Sequence, residues 1–190
     1  MNNFLVSKTT AVLYPYLGCE PGTIVYDKLN YGVELFYINL VKSIFLIAVA
    51  SVLGVVHYVL VVMLAHGFLR TYSFGLHLQR TVSCTALGMI YYLGSVYISI
   101  YTVIPIPVKI VILLVCTACF ALYAPSQTKK RPIPLKQQKP LKKKSLISLA
   151  IVSFIVIALS QFPVYSNLVL MAAVCQVINI LPITYRICKA

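Results

Sequence analysis

The chain has 190 residues, 61% of them hydrophobic and only 10% charged, with a mean hydropathy of +0.93. So little polar surface cannot cover so large an apolar fraction in water, so a soluble enzyme or regulator is excluded and a polytopic membrane protein is expected. Sixteen Lys and Arg face three acids, a formal net charge of +13.

The charge is also unevenly placed. All three acids, Glu20, Asp27 and Glu34, precede the first long apolar run, whereas eight basic residues fall between Lys129 and Lys144 with no acid among them. A basic run beside membrane spans marks the cytoplasmic side. It lacks the interleaved aromatics and soluble fold of a nucleic-acid interface, so no nucleic-acid partner is expected.

In chain order, residues 1–42 are mixed in character, and the first of them do not read as a secretory signal peptide. A helix over 21–38 places Val25, Leu29, Val33 and Phe36 on one face and Asp27, Asn30 and Glu34 toward the other, an amphipathic helix along the membrane surface or the bundle. Residues 43–69 form either one tilted span or two short segments broken near 54–57, of which the broken, hairpin-like version is preferred. Four runs then reach the roughly 20 residues that cross a hydrocarbon core, at 85–104, 106–124, 146–164 and 166–185. Tight turns containing Pro105 and Pro107, and Pro163, join them in pairs. Lys109 is expected to snorkel from a span end. The reading is all-α: a polytopic integral membrane helical bundle with an N-terminal amphipathic helix. It forms a single membrane-embedded domain, 1–190, with a polar loop at 70–84, helical hairpins at 85–124 and 146–185, and a basic cytoplasmic loop at 125–145.

Residues 70–84, RTYSFGLHLQRTVSC, interrupt the apolar pattern with two arginines, a histidine and a cysteine. The plain reading is a polar connector between membrane helices; the chemical reading is a nucleophile and its base. A thiolate attacks a peptide carbonyl, and a nearby imidazole can take the thiol proton and later protonate the leaving amine. Cys84 stands where the 85–104 helix begins, with His77 and Arg80 close by and Thr81 or Ser83 available as a cap. Gly75 permits a tight turn just before His77. On one continuous helix His77 and Cys84 would share a face about 10 Å apart, so the chemistry requires a bend between them. His57 and His66 have no cysteine or carboxylate at useful spacing and are expected to be structural. Cys116, Cys119 and Cys175 sit in apolar runs as small hydrophobes, and neither a metal nor a cofactor is called for.

Three motifs in order resemble the AgrB family, membrane-embedded cysteine endopeptidases of Gram-positive quorum sensing. Arg70, Gly75, His77 and Cys84 match its Arg…Gly-x-His…Cys core; YGVE at 31–34, with Asn39 and Lys42, resembles its N-terminal motif; YAPSQTKKRPI at 123–133 resembles its Tyr-Ala-Pro…Lys-Lys-x-Pro-Ile loop. Phe74 and Leu78 depart from the glycine and small residue that many members carry there. The resemblance implies that Cys84, activated by His77, removes the acidic C-terminal tail of an AgrD-like propeptide through an acyl thioester, which a propeptide thiol or hydroxyl resolves to a thiolactone or lactone. It implies a homodimer and a bacterial cell-membrane location; the basic run at 129–144 puts the catalytic loop on the cytoplasmic side. Glu34 is the candidate for orienting His77, which favours the broken reading of 43–69. Arg70, Gly75 and Arg80, with Lys129, Lys130 and Arg131, are candidates for holding the peptide and its tail. The competing reading is a non-enzymatic small-peptide exporter or transporter in which 70–84 only connects two helices; a receptor subunit would need an appended soluble domain.

Overall fold

A computed structural model describes residues 3–13, 15–16, 22–75, 81–126 and 134–187, and these are α-helical apart from short connections and a single bridge. They form two units, Met1–Val49 and Ala50–Ala190.

In the first unit, helix α1 (Asn3–Leu13) lies against the opening half of α2 (Ile24–Val52). The Thr9 hydroxyl meets the Tyr37 hydroxyl at 2.8 Å, and the buried Thr10 hydroxyl is shared between Val6 O at 2.9 Å and Asn30 Oδ1 at 3.1 Å. Thr23 caps α2 by accepting from Tyr26 N at 3.3 Å, and Asp27 in the first turn complements the helix dipole. The helix expected to end near 38 instead continues for 29 residues, about 43 Å. No Gly or Pro lies between 38 and 43 to stop it; what changes there is the surroundings of the side chains, from mixed to apolar.

The second unit begins in the last turn of α2, and the break expected near 54–57 is present. Gly54 has φ +70, Gly54 N donates to Ser51 O at 3.1 Å, and Val55 N donates to Ala50 O at 2.9 Å. That pair of bonds is a Schellman motif, completed by burial of Ala50 against solvent together with Val55. Helix α3 (Val56–Ser73) follows, and Val59, Val62, His66, Leu69 and Ser73 recur at helical spacing on its buried face.

Four more long helices complete this unit: α4 (Thr81–Tyr101), α5 (Ile106–Tyr123), α6 (Leu135–Ala158) and α7 (Pro163–Ile180), with a 3₁₀ turn at Leu159–Gln161 and a short α8 (Pro182–Ile187). Prolines open α5 and α7, where a missing N–H costs nothing. Helix α6 starts well before residue 146, so much of the expected basic loop is helical, with Pro140 inside it and Lys139 and Lys142 to Lys144 exposed.

Helix α7 is the axis of the unit. It packs against α3, α4, α5 and α6, and its residues are buried nearly all round. Phe120, Leu149, Val152, Leu170 and Val177 belong to its buried core, with Cys116 among them. The outer helices turn apolar residues outward, such as Leu114 (65% exposed) and Phe154 (74%). Four helices (Ile24–Val52, Ile106–Tyr123, Gln137–Gln161 and Pro163–Ile180) are long and apolar enough to cross a membrane, and Thr85–Tyr101 is a shorter apolar helix. Apolar side chains facing outward around a packed axis are what a lipid-embedded bundle presents.

Polar pairs tie one end together. Lys109 does not reach out to water: it is 2% exposed, and its Nζ donates to Ser166 Oγ at 2.7 Å. Ser166 Oγ in turn donates to Val156 O at 2.7 Å, and Asn167 Nδ2 donates to Thr102 O at 2.8 Å. The turns between α4 and α5 and between α6 and α7 are thereby joined inside the bundle.

Candidate functional site

The opposite end of the second unit carries the polar motif. Arg70 lies half-buried in the last turn of α3, and the helix stops at Phe74. Phe74 has φ 58 and ψ −136, a region that residues with a side chain rarely adopt and that costs on the order of 1–3 kcal/mol. Gly75 follows at φ +135 and sits so close to α7 that an added Cβ would lie 3.2 Å from Asn179 O and 3.3 Å from Asn179 Cβ. Gly75 is therefore required twice, by its backbone angle and by its neighbour.

His77 and Arg80 lie outside the described residues, as does Leu78. The chain is described again at Thr81, where α4 opens, so Cys84 stands in the first turn of a helix. Ser83 is thus inside α4 rather than capping it.

The structure joins two motifs that are far apart in sequence. Phe74 and Ser126 form a parallel bridge, and Ser126 N donates to Ser73 O at 3.0 Å. The segment bearing His77 and the segment bearing Lys129, Lys130 and Arg131 therefore leave from adjacent backbone. Those three basic residues lie outside the described residues. Lys144 at the basic end of α6 reaches the same region, with Nζ 6.0 Å from the centroid of the Tyr72 ring. Glu34 is exposed on α2 in the first unit.

A buried polar network lies beneath this end. Gln176 Nε2 donates to Ser73 Oγ at 2.7 Å and to Phe74 O at 2.6 Å, and Ser73 Oγ donates to Leu69 O at 2.7 Å. One turn along α7, Asn179 Nδ2 donates to His66 Nε2 at 3.1 Å. With Nε2 as acceptor, the ring proton is on Nδ1 and is shared with the Tyr92 hydroxyl at 2.8 Å. The network therefore links α3, α4 and α7, all with buried or half-buried members. Gln176 Oε1 is buried and accepts no hydrogen bond, a deficit that costs about 1–3 kcal/mol.

The sequence reading singled out His77 and Cys84 and did not single out Gln176, Asn179 or Tyr92; His66, expected to be structural, is a member of the buried network. One signal was available. Amides inside an otherwise apolar span are costly and are functional by default, and α7 carries Asn167, Gln176 and Asn179. Among the described residues no group of three His, Cys, Asp or Glu could hold a metal ion. Cys175 instead lies 3.3 Å from the Ser95 hydroxyl, and Cys116 packs in the core.

The fold defines a polytopic α-helical membrane protein, with Phe74 and Ser126 of two separate polar segments paired at one end of the second unit. Residues 12–180 match the family of accessory gene regulator B. An AgrB-like protein of Listeria innocua is 32% identical over 86% of this chain and 80% of its own length. Accessory gene regulator protein B of Staphylococcus intermedius is 31% identical over 84% of each chain, and an AgrB-like protein of Clostridium acetobutylicum is 24% identical over 84% of this chain and 77% of its own. No solved structure matches. The chain belongs to the AgrB family, which supports a role in agr quorum sensing.

Proposed function

We propose that the protein is a membrane-embedded cysteine endopeptidase that trims and cyclises a small AgrD-like propeptide, with His77 and Cys84 as its reactive pair. The observation that carries this reading is the bridge between Phe74 and Ser126, which gives the His77 segment and the basic 129–131 segment a common root. In this reading the base and the cationic docking surface for an acidic tail are carried by chain that departs from neighbouring backbone. The position of Cys84 supports the same reading, because a helix N-terminus carries partial positive charge that favours an anion such as a thiolate.

In the proposed reaction His77 takes the Cys84 thiol proton and the thiolate attacks the scissile carbonyl. The tetrahedral oxyanion collapses, the C–N bond breaks, and the tail leaves as an amine that receives the proton from His77. The N-terminal part of the propeptide remains on Cys84 as a thioester. A propeptide thiol then gives its proton to His77 and attacks that thioester, closing a thiolactone and returning Cys84 as thiolate; a serine hydroxyl would give a lactone. A site that excludes water keeps the thioester from hydrolysis.

Arg70, Arg80, Lys129, Lys130 and Arg131 serve this reading as the tail-binding cations and Gly75 as the close-packed turn. The excess of Lys and Arg at 129–144 supports a cytoplasmic position for this end in the proposed reading. Substitution tests the assignment. Cys84→Ala and His77→Ala each abolish propeptide cleavage with membrane insertion unchanged, while alanine at Cys19, Cys116, Cys119, Cys175 or Cys188 leaves it intact. Cleavage that survives Cys84→Ala would reduce 70–84 to a connector and leave an exporter as the better reading.

A further inference from the structure

We propose that Gln176 of α7, with Asn179 beside it, is a positioning residue for the His77–Cys84 chemistry, because it fixes the backbone at Phe74 and Gly75 from which the His77 segment departs. The inference rests on the peptidase reading and names a part of it that the reactive motif does not contain.

Three observations converge. Phe74 holds a backbone conformation that glycine would adopt freely and phenylalanine adopts only under constraint. The constraint is visible: Phe74 O accepts from Gln176 at 2.6 Å, Phe74 N donates to Arg70 O at 3.0 Å, and the bridge to Ser126 fixes the other side. Gly75 is pressed against Asn179, whose amide is held by His66 and, through it, by Tyr92 of the helix that carries Cys84. The two ends of the undescribed segment, Gly75 and the α4 helix, are thus held to one buried network.

The state of Gln176 adds a further argument. Both hydrogens of its amide are directed to the end of α3, while its Oε1 is left buried without a donor. An apolar side chain of similar length would remove that deficit and leave Phe74 O without its donor, two changes that offset each other. Gln176 therefore contributes to where the Phe74 backbone sits more than to the stability of the bundle. Displacement of a reacting group by about 1 Å can cost on the order of a hundredfold in rate, so a clamp at the root of the segment has leverage on the chemistry.

The test compares the full chain with Gln176→Met, Phe74→Gly and the double variant, each reconstituted in phosphatidylglycerol-containing vesicles. The readout is the rate at which iodoacetamide alkylates Cys84, followed by peptide mass mapping from acid to mildly alkaline pH, alongside the thermal midpoint. Unmutated protein should react at lower pH than an ordinary thiol. Gln176→Met should shift the profile upward, with about a tenfold loss of rate at neutral pH and no fall in thermal midpoint. Phe74→Gly in the same chain should restore most of the loss, since glycine needs no clamp to hold that turn. A Gln176→Met profile that coincides with the unmutated one would overturn the inference. Should Gln176→Met fail to fold alone, the comparison is made between Phe74→Gly and the double variant, and a tenfold difference between them would overturn it. An ordinary thiol profile at Cys84 in the unmutated protein would instead sink the peptidase reading, and this inference with it.

Discussion

Phe74 carries the clearest backbone strain among the described residues. Its backbone angles suit glycine, and Phe74→Gly should relieve on the order of 1–3 kcal/mol, offset by up to about 1 kcal/mol of extra freedom in the unfolded chain. The expected outcome is a thermal midpoint in detergent raised by roughly 2–4 °C; a fall would mean that the phenyl ring contributes more by packing than its backbone costs. Lys109 gives a second test. Lys109→Met removes a buried ammonium and leaves Ser166 bonded to Val156, so stability should hold or rise. Ser166→Ala strands that ammonium instead and should cost about 1–3 kcal/mol; equal effects of the two changes would contradict this account. At this scale the sequence was legible where chemistry sits in one short segment. Spacing drew attention to His77 and Cys84, and glycine at 75 to a turn. Gln176 was not legible in the same way, because its partners, Ser73 and Phe74, lie about a hundred positions away and only the fold brings them to it.

Helix ends follow from backbone signals, and helix interiors do not register changes of environment. Gly54 at φ +70 ends α2 through a Schellman motif, which is why the break expected at 54–57 is found. Gly54→Ala should cost about 1–2 kcal/mol, because alanine resists the left-handed conformation, and Gly54→Asn should cost less. Hydrogen exchange at Val55 reads the loss directly, since its N–H bonds Ala50 O in that motif. Two expectations failed for a shared reason. The end expected for α2 near 38 and the loop expected up to 145 were both read from a change in polarity. Lys and Gln are good helix formers, so α6 begins at Leu135 among charges and accommodates Pro140.

At the largest scale, the organising fact of the second unit is a central α7 wrapped by α3, α4, α5 and α6, with polar bonds at both ends. Composition sufficed to expect a polytopic helical bundle, because an apolar fraction this large has few other solutions. Which helix sits at the centre was not legible from runs that are all similarly apolar; the amides of α7 carried that signal. The shared root of the two motifs is testable in the membrane. Phe74→Cys with Ser126→Cys, in a chain whose other cysteines are replaced, should cross-link rapidly on mild oxidation, as the bridge between them requires; pairing no faster than random surface cysteines would contradict the arrangement. The measurement that bears most directly on the peptidase reading is mass spectrometry of the protein, reconstituted in lipid with a candidate AgrD-like propeptide. The account predicts a truncated propeptide bound to Cys84, released by hydroxylamine and absent from Cys84→Ala. Intact propeptide and unmodified Cys84, in protein shown to be folded, would contradict it.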